Sequence, residues 1–231
     1  MGAFSGPQEY WLTNVDSGNY HASKRGVVQN GLLVSYDAGA LESYPGTGRT
    51  LYDLTANGYH ASIVGDYTYN PTDRGGNIYL STNNNTYIKT PEIAGFKSFC
   101  FTFLKTDTNF TGYSWKYVWD ARPGASGGWF AGVGDNGTLL AFSTGGWTNI
   151  HVNGSPVAAT WASFPTDSFF QLYAVYGNLD ATTYTSTINL MSRYSDNESM
   201  RGNVVAFQAY NRYLTSEEIF RNYWVMKGRL G

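Results

Sequence analysis

The chain has 231 residues and a formal net charge of −2, with charged residues at 14% where a globular protein usually carries about 25%. Its polarity comes from Asn, Thr, Ser, Tyr and Gly instead, beside a hydrophobic fraction of 42% and an aromatic fraction of 17%. The length suits one large β-sandwich; no run of Lys or Arg offers a phosphate-binding surface for nucleic acid, and a single cysteine, Cys100, excludes an intrachain disulfide and a thiolate metal cluster.

Residues 1–30 read as a polar N-terminal arm or an extra edge strand, with turns at "DSGN" and "SKRG". The opening "MGAFSGPQEYWL" has neither the basic start nor the apolar stretch of a signal peptide, and no apolar run reaches the ~20 residues of a membrane span. A domain over 31–231 follows. "NGLLVSYDAG" (30–39) gives a turn, an apolar strand and a loop, and the turn-rich stretch 43–65 holds short strand segments near Leu51–Leu54 and Ala61–Val64. "NIYL" (77–80) and "TYIKT" (86–90) flank an Asn-rich tight turn. "SFCFTFLKT" (98–106) alternates, with Phe99, Phe101 and Phe103 on one face and Cys100, Thr102 and Leu104 on the other, the period-two signature of a strand. Further strands are expected at 138–143, 148–152, 169–177, 186–191 and 203–210, and Asn153-Gly154 between two of them suits a type I′ hairpin turn. Many short strands without intervening helices predict two stacked antiparallel sheets.

The pattern changes at "RYLTSEEIFRNYW" (212–224). Thr215 and Glu218 fit a capping box, Ile219, Tyr223 and Met226 recur at helical spacing, and Gly228 stands where a helix stop is expected. Glu217 and Glu218 sit at the positive end of the helix dipole and Lys227 near the negative end. This predicts one short C-terminal α-helix covering an end or edge of the sandwich.

Three motifs carry a resemblance. "GLLVSYDAGALESYPGTGRTLYDLTANGYHASI" (31–63), "FQLYAVYG" (170–177) and "GNVVAFQAYNRYLTSEEIFRNY" (202–223) together resemble concanavalin A-like, laminin-G-like jelly-roll domains, and the closing "AYNRYLTSEEI" with "NYWVMKGRLG" is similar to those of tailed-bacteriophage virion proteins. The resemblance implies an all-β jelly-roll sandwich with one C-terminal helix. It also implies a virion-surface role, in capsid decoration or a tail fibre, with other virion proteins or further copies of the chain as partners and cell-surface glycans as ligands. The alternatives are a lectin-like domain of a secreted or cell-surface protein and, last, a glycoside hydrolase. "STNNNTYI" (81–88) lacks the acidic turn common in related domains, which weakens a calcium role there.

Glycoside hydrolysis requires a pair of carboxylates, about 5–5.5 Å apart for retention or 6.5–9.5 Å for inversion. Glycanases of this fold present Glu-x-Asp-x-x-Glu along one strand; here Glu9, Glu42, Glu92, Glu198, Glu217 and Glu218 lie in the arm, in loops or on the helix, so binding is expected in place of catalysis. Asp120, Asp135 and Asn136, on "WDARPGASGGWFAGVGDNG" (119–137), are the candidate calcium ligands. Their spacing matches no dedicated loop, and such residues at Gly-flanked turns commonly bond their own backbone, as Asp37 and Asp53 are also expected to do. No cofactor is therefore assigned. His21, His60 and His151 lack a zinc spacing. The remaining candidates are aromatic: Tyr113, Trp115, Trp119, Trp129 and Trp147 with Arg122, read as a cluster on central loops. Aromatic faces stack on sugars and, with Arg, anchor interfaces, although any single Trp is more often core.

Overall fold

The computed structural model describes residues 26–81, 85–106, 115–122, 130–134, 139–140, 147–158, 163–165, 168–176, 184–193 and 199–230. Among these, two antiparallel sheets and one long helix form the architecture that the alternating sequence predicts. One sheet has eight strands. In spatial order they are β13 (Ser155–Pro156), β12 (Trp147–Val152), β14 (Phe170–Tyr176), β8 (Ser98–Lys105), β17 (Gly202–Tyr210), β5 (Asn77–Leu80) and β4 (Tyr67–Asn70), with β1 (Leu32–Asp37) also pairing β17. The other has seven: β11 (Leu139–Leu140), β10 (Phe130–Gly134), β9 (Trp115–Asp120), β16 (Asn189–Leu190), β6 (Tyr87–Lys89), β3 (Ala61–Val64) and β2 (Thr50–Leu51). A two-stranded ribbon joins β7 (Ile93–Phe96) to β15 (Tyr184–Ser186). The predicted strands at 77–80 and 86–90 fall in different sheets, so they are not the two arms of one hairpin.

The period-two pattern of β8 decides the core. Phe99, Phe101 and Phe103 point between the sheets, where Phe101 and Phe103 stack with centroids 4.3 Å apart and Phe103 meets Phe170 at 4.5 Å. Aromatic burial on this scale is a main stabilising term of such a layer. The other face of β8 is buried too. Cys100 lies with Tyr173, Tyr210, Leu214 and Ile219 beneath α1 (Ser216–Leu230). The helix therefore lies over the outer face of the eight-stranded sheet, where an end or edge was expected. A sheet whose two faces are both partly apolar must be covered on both sides, and Val27, Val205, Met226 and Leu230 extend this second core. Residues 26–30, grouped with the arm by sequence, join it: Val27 and Val28 are buried, and the Val28 N–H donates to Asn222 Oδ1 at 2.8 Å.

Helix α1 begins as its sequence dictates. Thr215 N–H donates to Glu218 Oε2 at 3.0 Å and Glu218 N–H donates to Thr215 Oγ1 at 3.3 Å, a reciprocal capping box. It does not stop at Gly228 but runs on to Leu230. Buried Leu230 and buried Arg229 hold this last turn against the sheet, and packing outweighs the low helix propensity of one glycine. Asn153 and Gly154, with φ of 53° and 79°, turn β12 into β13 as the Asn-Gly signal predicts. No helix among the described residues is long and apolar enough to cross a membrane.

Candidate functional site

The seven-stranded sheet positions the site through its register. Residues directly opposite one another on paired strands share a face, and the next position along each strand faces the other way. Ile63 opposes Ile88, Ile88 opposes Leu190, and Leu190 opposes Trp119. All four are buried in the main core. The adjacent row must then face away from the core: Thr50 opposes Ser62, Ser62 opposes Lys89, Lys89 opposes Asn189, and Asn189 opposes Asp120. Every member of this outer row is polar. Exposure falls along it, from exposed Ser62 through half-buried Lys89 to buried Asn189 and Asp120.

The buried end is closely bonded. Arg122 Nε donates to both Asp120 oxygens at 3.0 Å, Arg122 Nη2 donates to Oδ2 at 2.5 Å, and the Arg122 backbone N–H donates to Oδ1 at 2.9 Å. Burial alone pulls the Arg122 guanidinium down; hydrogen bonds and charge from Asp120, and then Tyr117, outweigh it and leave the group above its ordinary value. The guanidinium carbons of Arg122 and Arg193 lie 5.2 Å and 5.9 Å from the centre of the Tyr117 ring, within cation–π range. Asn189 Nδ2 donates to the Arg193 carbonyl at 2.7 Å. A bidentate Arg–carboxylate pair makes a rigid wall, and hydroxyl, ammonium and amide groups line the approach to it.

The residues singled out from sequence fare differently. Asp120 and Arg122 are brought together on this outer face. Trp119 is not available to a ligand: it is 2% exposed and packs edge-to-face on Phe99 at 4.8 Å. Its pairing with core Leu190 places it inward, and beside it β9 is irregular, its register against β10 shifting between Trp119 and Tyr117. An extra residue of this kind lets two neighbours escape strict alternation, and Val118 and Trp119 both enter the main core. Trp115 and Trp119 lie on β9 and Trp147 on β12, so these positions are strands, where central loops were expected, and they belong to opposite sheets. Tyr113, Trp129, Asp135 and Asn136 lie outside the described residues. With both Asp120 oxygens engaged by Arg122, a cation at Asp120 would have to displace that pair. Among the described residues, no group of three or more His, Cys, Asp or Glu side chains is placed to hold a metal ion.

Asp53 is the backbone anchor its turn suggests. Its carboxylate accepts from the N–H groups of Ser35, Thr55 and Tyr59 and from the Thr55 hydroxyl, while its own N–H donates to His60 Nδ1. Ser62, Lys89 and Asn189 escaped the sequence reading. They come from three strands distant in sequence, and only the pairing register lines them up.

No family model matches the chain, and no curated protein does. Solved structures do. The receptor-binding domain of a botulinum neurotoxin C/D mosaic serotype matches with a TM-score of 0.54 at 13% identity, over 84% of this chain and 51% of that one. The chain is an antiparallel β-sandwich. The botulinum neurotoxin type G receptor-binding domain matches at 0.53 and 14% identity, over 85% of this chain and 51% of that one. The Trypanosoma rangeli sialidase in complex with the inhibitor DANA matches at 0.50 and 12% identity, over 85% of this chain and 33% of that one. The sandwich spans a third to about half the length of the solved structures it matches, and at these identities the likeness is one of fold.

Proposed function

We propose that this chain is a non-catalytic glycan-binding module, and that it binds through the outer face of the seven-stranded sheet. The observation that carries the reading is the accessible polar row Thr50–Ser62–Lys89, which runs on into buried Asn189 and Asp120. Its donors and acceptors sit at the regular spacing of paired strands, about 5 Å apart, on strands whose opposite faces are locked in the core. Groups held on such a scaffold recognise hydroxyl patterns at small entropic cost. Sheet sandwiches in the matched structures include receptor-binding domains, which supports binding, and a sialidase, which keeps hydrolysis as the alternative. Binding is favoured because the row's one carboxylate, Asp120, is held bidentately by Arg122, whereas hydrolysis needs two carboxyl groups facing a glycosidic bond. The setting implied by the sequence resemblance is a phage virion surface, in contact with other virion proteins or further copies of this chain. A secreted or cell-surface setting is its alternative, and co-purification with particles separates the two.

The experiment is a glycan array with the full chain, repeated with Ser62→Leu, a change at an exposed position. Retention of glycans by the parent and loss in the variant, with no reducing sugar released, supports the reading. Silence of the parent across the array, or binding indifferent to Ser62→Leu, overturns it.

A further inference from the structure

Among the described residues, the large apolar side chains that stand exposed are Leu41, Tyr52, Phe220 and Trp224. Two of these share one face of α1, a turn apart, at 44% and 41% exposure, and their ring centroids are 5.7 Å from each other. A lone exposed aromatic is ordinary, but a pair in contact on one helix face marks a patch. The rest of α1 is accounted for. Ile219, Asn222, Met226, Arg229 and Leu230 are buried against the sheet. Val225 and Arg221 meet Gly26, whose carbonyl accepts from Arg221 Nε at 3.0 Å. Phe220 sits beside Gly154 of the β12–β13 turn, where a Cβ would come within 2.8 Å of its ring.

Beyond its first residue, the exposed positions of α1 are Glu217, Phe220, Trp224, Lys227 and Gly228. The first four are spaced three, four and three apart, the a/d spacing along which two helices interlock. That spacing reads the same in both directions, and so does the chemistry. Phe220 and Trp224 lie two residues either side of Asn222, and Glu217 and Lys227 five residues either side. A second helix laid antiparallel across Asn222, at the shallow angle of about 20° usual for such seams, therefore sets Phe220 on the other copy's Trp224 and Glu217 on its Lys227, each pair twice. Neither charge has a counter-charge within the described residues, whose ion pairs are Arg74–Asp73, Arg122–Asp120, Arg212–Glu218 and Arg229–Asp37. Glu217 is bonded by its own N–H and by Thr215, which hold its carboxyl below the usual range. Lys227 Nζ stands 3.8 Å from the centre of the Trp224 ring, which keeps the ammonium on the stripe.

We propose that the outer stripe of α1 is a homodimer contact, in which Glu217, Phe220, Trp224 and Lys227 meet the same four residues of an antiparallel second copy. One patch then meets itself across a two-fold axis, the commonest form of self-association. A single helix stripe falls short of the roughly 800 Å² per partner of a lasting complex, so the dimer is weak and reversible. Because α1 covers the eight-stranded sheet, the dimer leaves both seven-stranded sheets open and facing apart. The inference stands on α1 alone and does not rest on the glycan-binding reading; if both hold, the pair binds bivalently.

The test is sedimentation velocity of the full chain from about 1 to about 300 µM, a range suited to weak association, with thermal unfolding confirming that each variant is folded. The parent is expected to pass from monomer to dimer as concentration rises. Trp224→Ser should weaken association by about tenfold or more, the usual loss at an aromatic anchor. Glu217→Lys and Lys227→Glu each bring like charges together and should each weaken it. The double variant restores opposite charges across the contact and should recover most of the parent's affinity. Each reversal opposes the helix dipole, so thermal stability should be lowest in the double variant, the reverse of its effect on association, and a merely structural role for these residues would not give that pattern. A parent that stays monomeric throughout overturns the inference, whatever else covers the stripe. So does a dimer indifferent to Trp224→Ser, or a double variant as weak as the single reversals. None of these outcomes bears on the glycan-binding reading.

Discussion

Arg229, in the last turn of α1, forms a buried ion pair with Asp37 at the end of β1, 192 residues earlier: Nη1 to Oδ1 is 2.6 Å, with side-chain exposures of 2% and 0%. The same guanidinium donates to the carbonyls of Arg74 and Gly76, each at 2.7 Å. Gly76 has φ 112° and nearly touches Gly39; a Cβ on Gly39 would come within 2.0 Å of the Gly75 carbonyl oxygen. One side chain thus ties the helix end, the first strand and the turn before β5 into a unit that needs glycine for its close approach. Removing one partner of a buried pair leaves the other charge stranded, at a cost of about 3–5 kcal/mol. Arg229→Met should lower the free energy of unfolding in urea by that amount. Adding Asp37→Asn should recover part of it, because the uncharged amide oxygen can still accept from the Gly39 N–H now bonded to Asp37 Oδ1.

The helix start gives a pH prediction. Glu218 accepts from both Arg212 Nη groups, at 2.8 Å and 2.6 Å, and from the Thr215 N–H. The Arg212 hydrogen bonds, outweighing partial burial, hold its carboxyl below the usual range. A carboxylate whose folded value is lowered contributes stability above its unfolded value, about 4.3, and loses it as pH falls through the lower folded value. Glu218→Gln keeps the cap but removes the charge. Its penalty, below ~1 kcal/mol for so accessible a pair, should be constant from pH 7 to 5. It should vanish in more acid solution, as followed by urea midpoints of parent and variant at each pH.

Cys100 should be chemically silent in the folded protein. It is fully buried under α1, and burial pushes its thiol up to about 12, against a small opposing effect of the Asn222 amide that donates to its sulfur at 3.4 Å. Only the thiolate reacts at a useful rate. Labelling by a thiol reagent at pH 8 should be negligible in buffer and should rise with urea along the unfolding curve. Fast labelling of folded protein would mean that α1 leaves the sheet readily.

How far the sequence reveals this molecule depends on how local each signal is. The alternation of Phe99, Phe101 and Phe103, the Asn153-Gly154 turn and the Thr215/Glu218 box are each contained within a few residues, and each forms as its chemistry directs. Strands β9 and β10 were hidden in a glycine-rich stretch that reads as loop, and the register shift at Val118 lets it enter the core beside Trp119 against the simple alternation. The outer row is the least legible feature, since Ser62, Lys89 and Asn189 become neighbours only through long-range pairing. The sequence does separate Ile88 from Lys89 by period two, but it does not say which strands lie on either side.

The surface between α1 and the sheet is unusually polar, and this yields the last prediction. Gln208, wholly buried, lies directly opposite Ser35 on β1 and Cys100 on β8. Neither end of its amide has a hydrogen-bond partner among the described residues, and the same holds for Ser35 Oγ, Thr102 Oγ1 and Gln171 Oε1, which share this face. An unsatisfied buried polar group costs about 1–3 kcal/mol, and an apolar replacement of similar shape removes that cost. Gln208→Met should therefore leave stability unchanged or raise it by up to that amount, measured by urea unfolding. A loss of similar size would show that the amide is bonded through internal water, which commonly bridges such groups. The adjacent Asn222 provides the contrast. Its side chain donates to Tyr210 Oη at 2.9 Å and accepts from the Val28 N–H, so Asn222→Leu strands two partners at once and should destabilise where Gln208→Met does not.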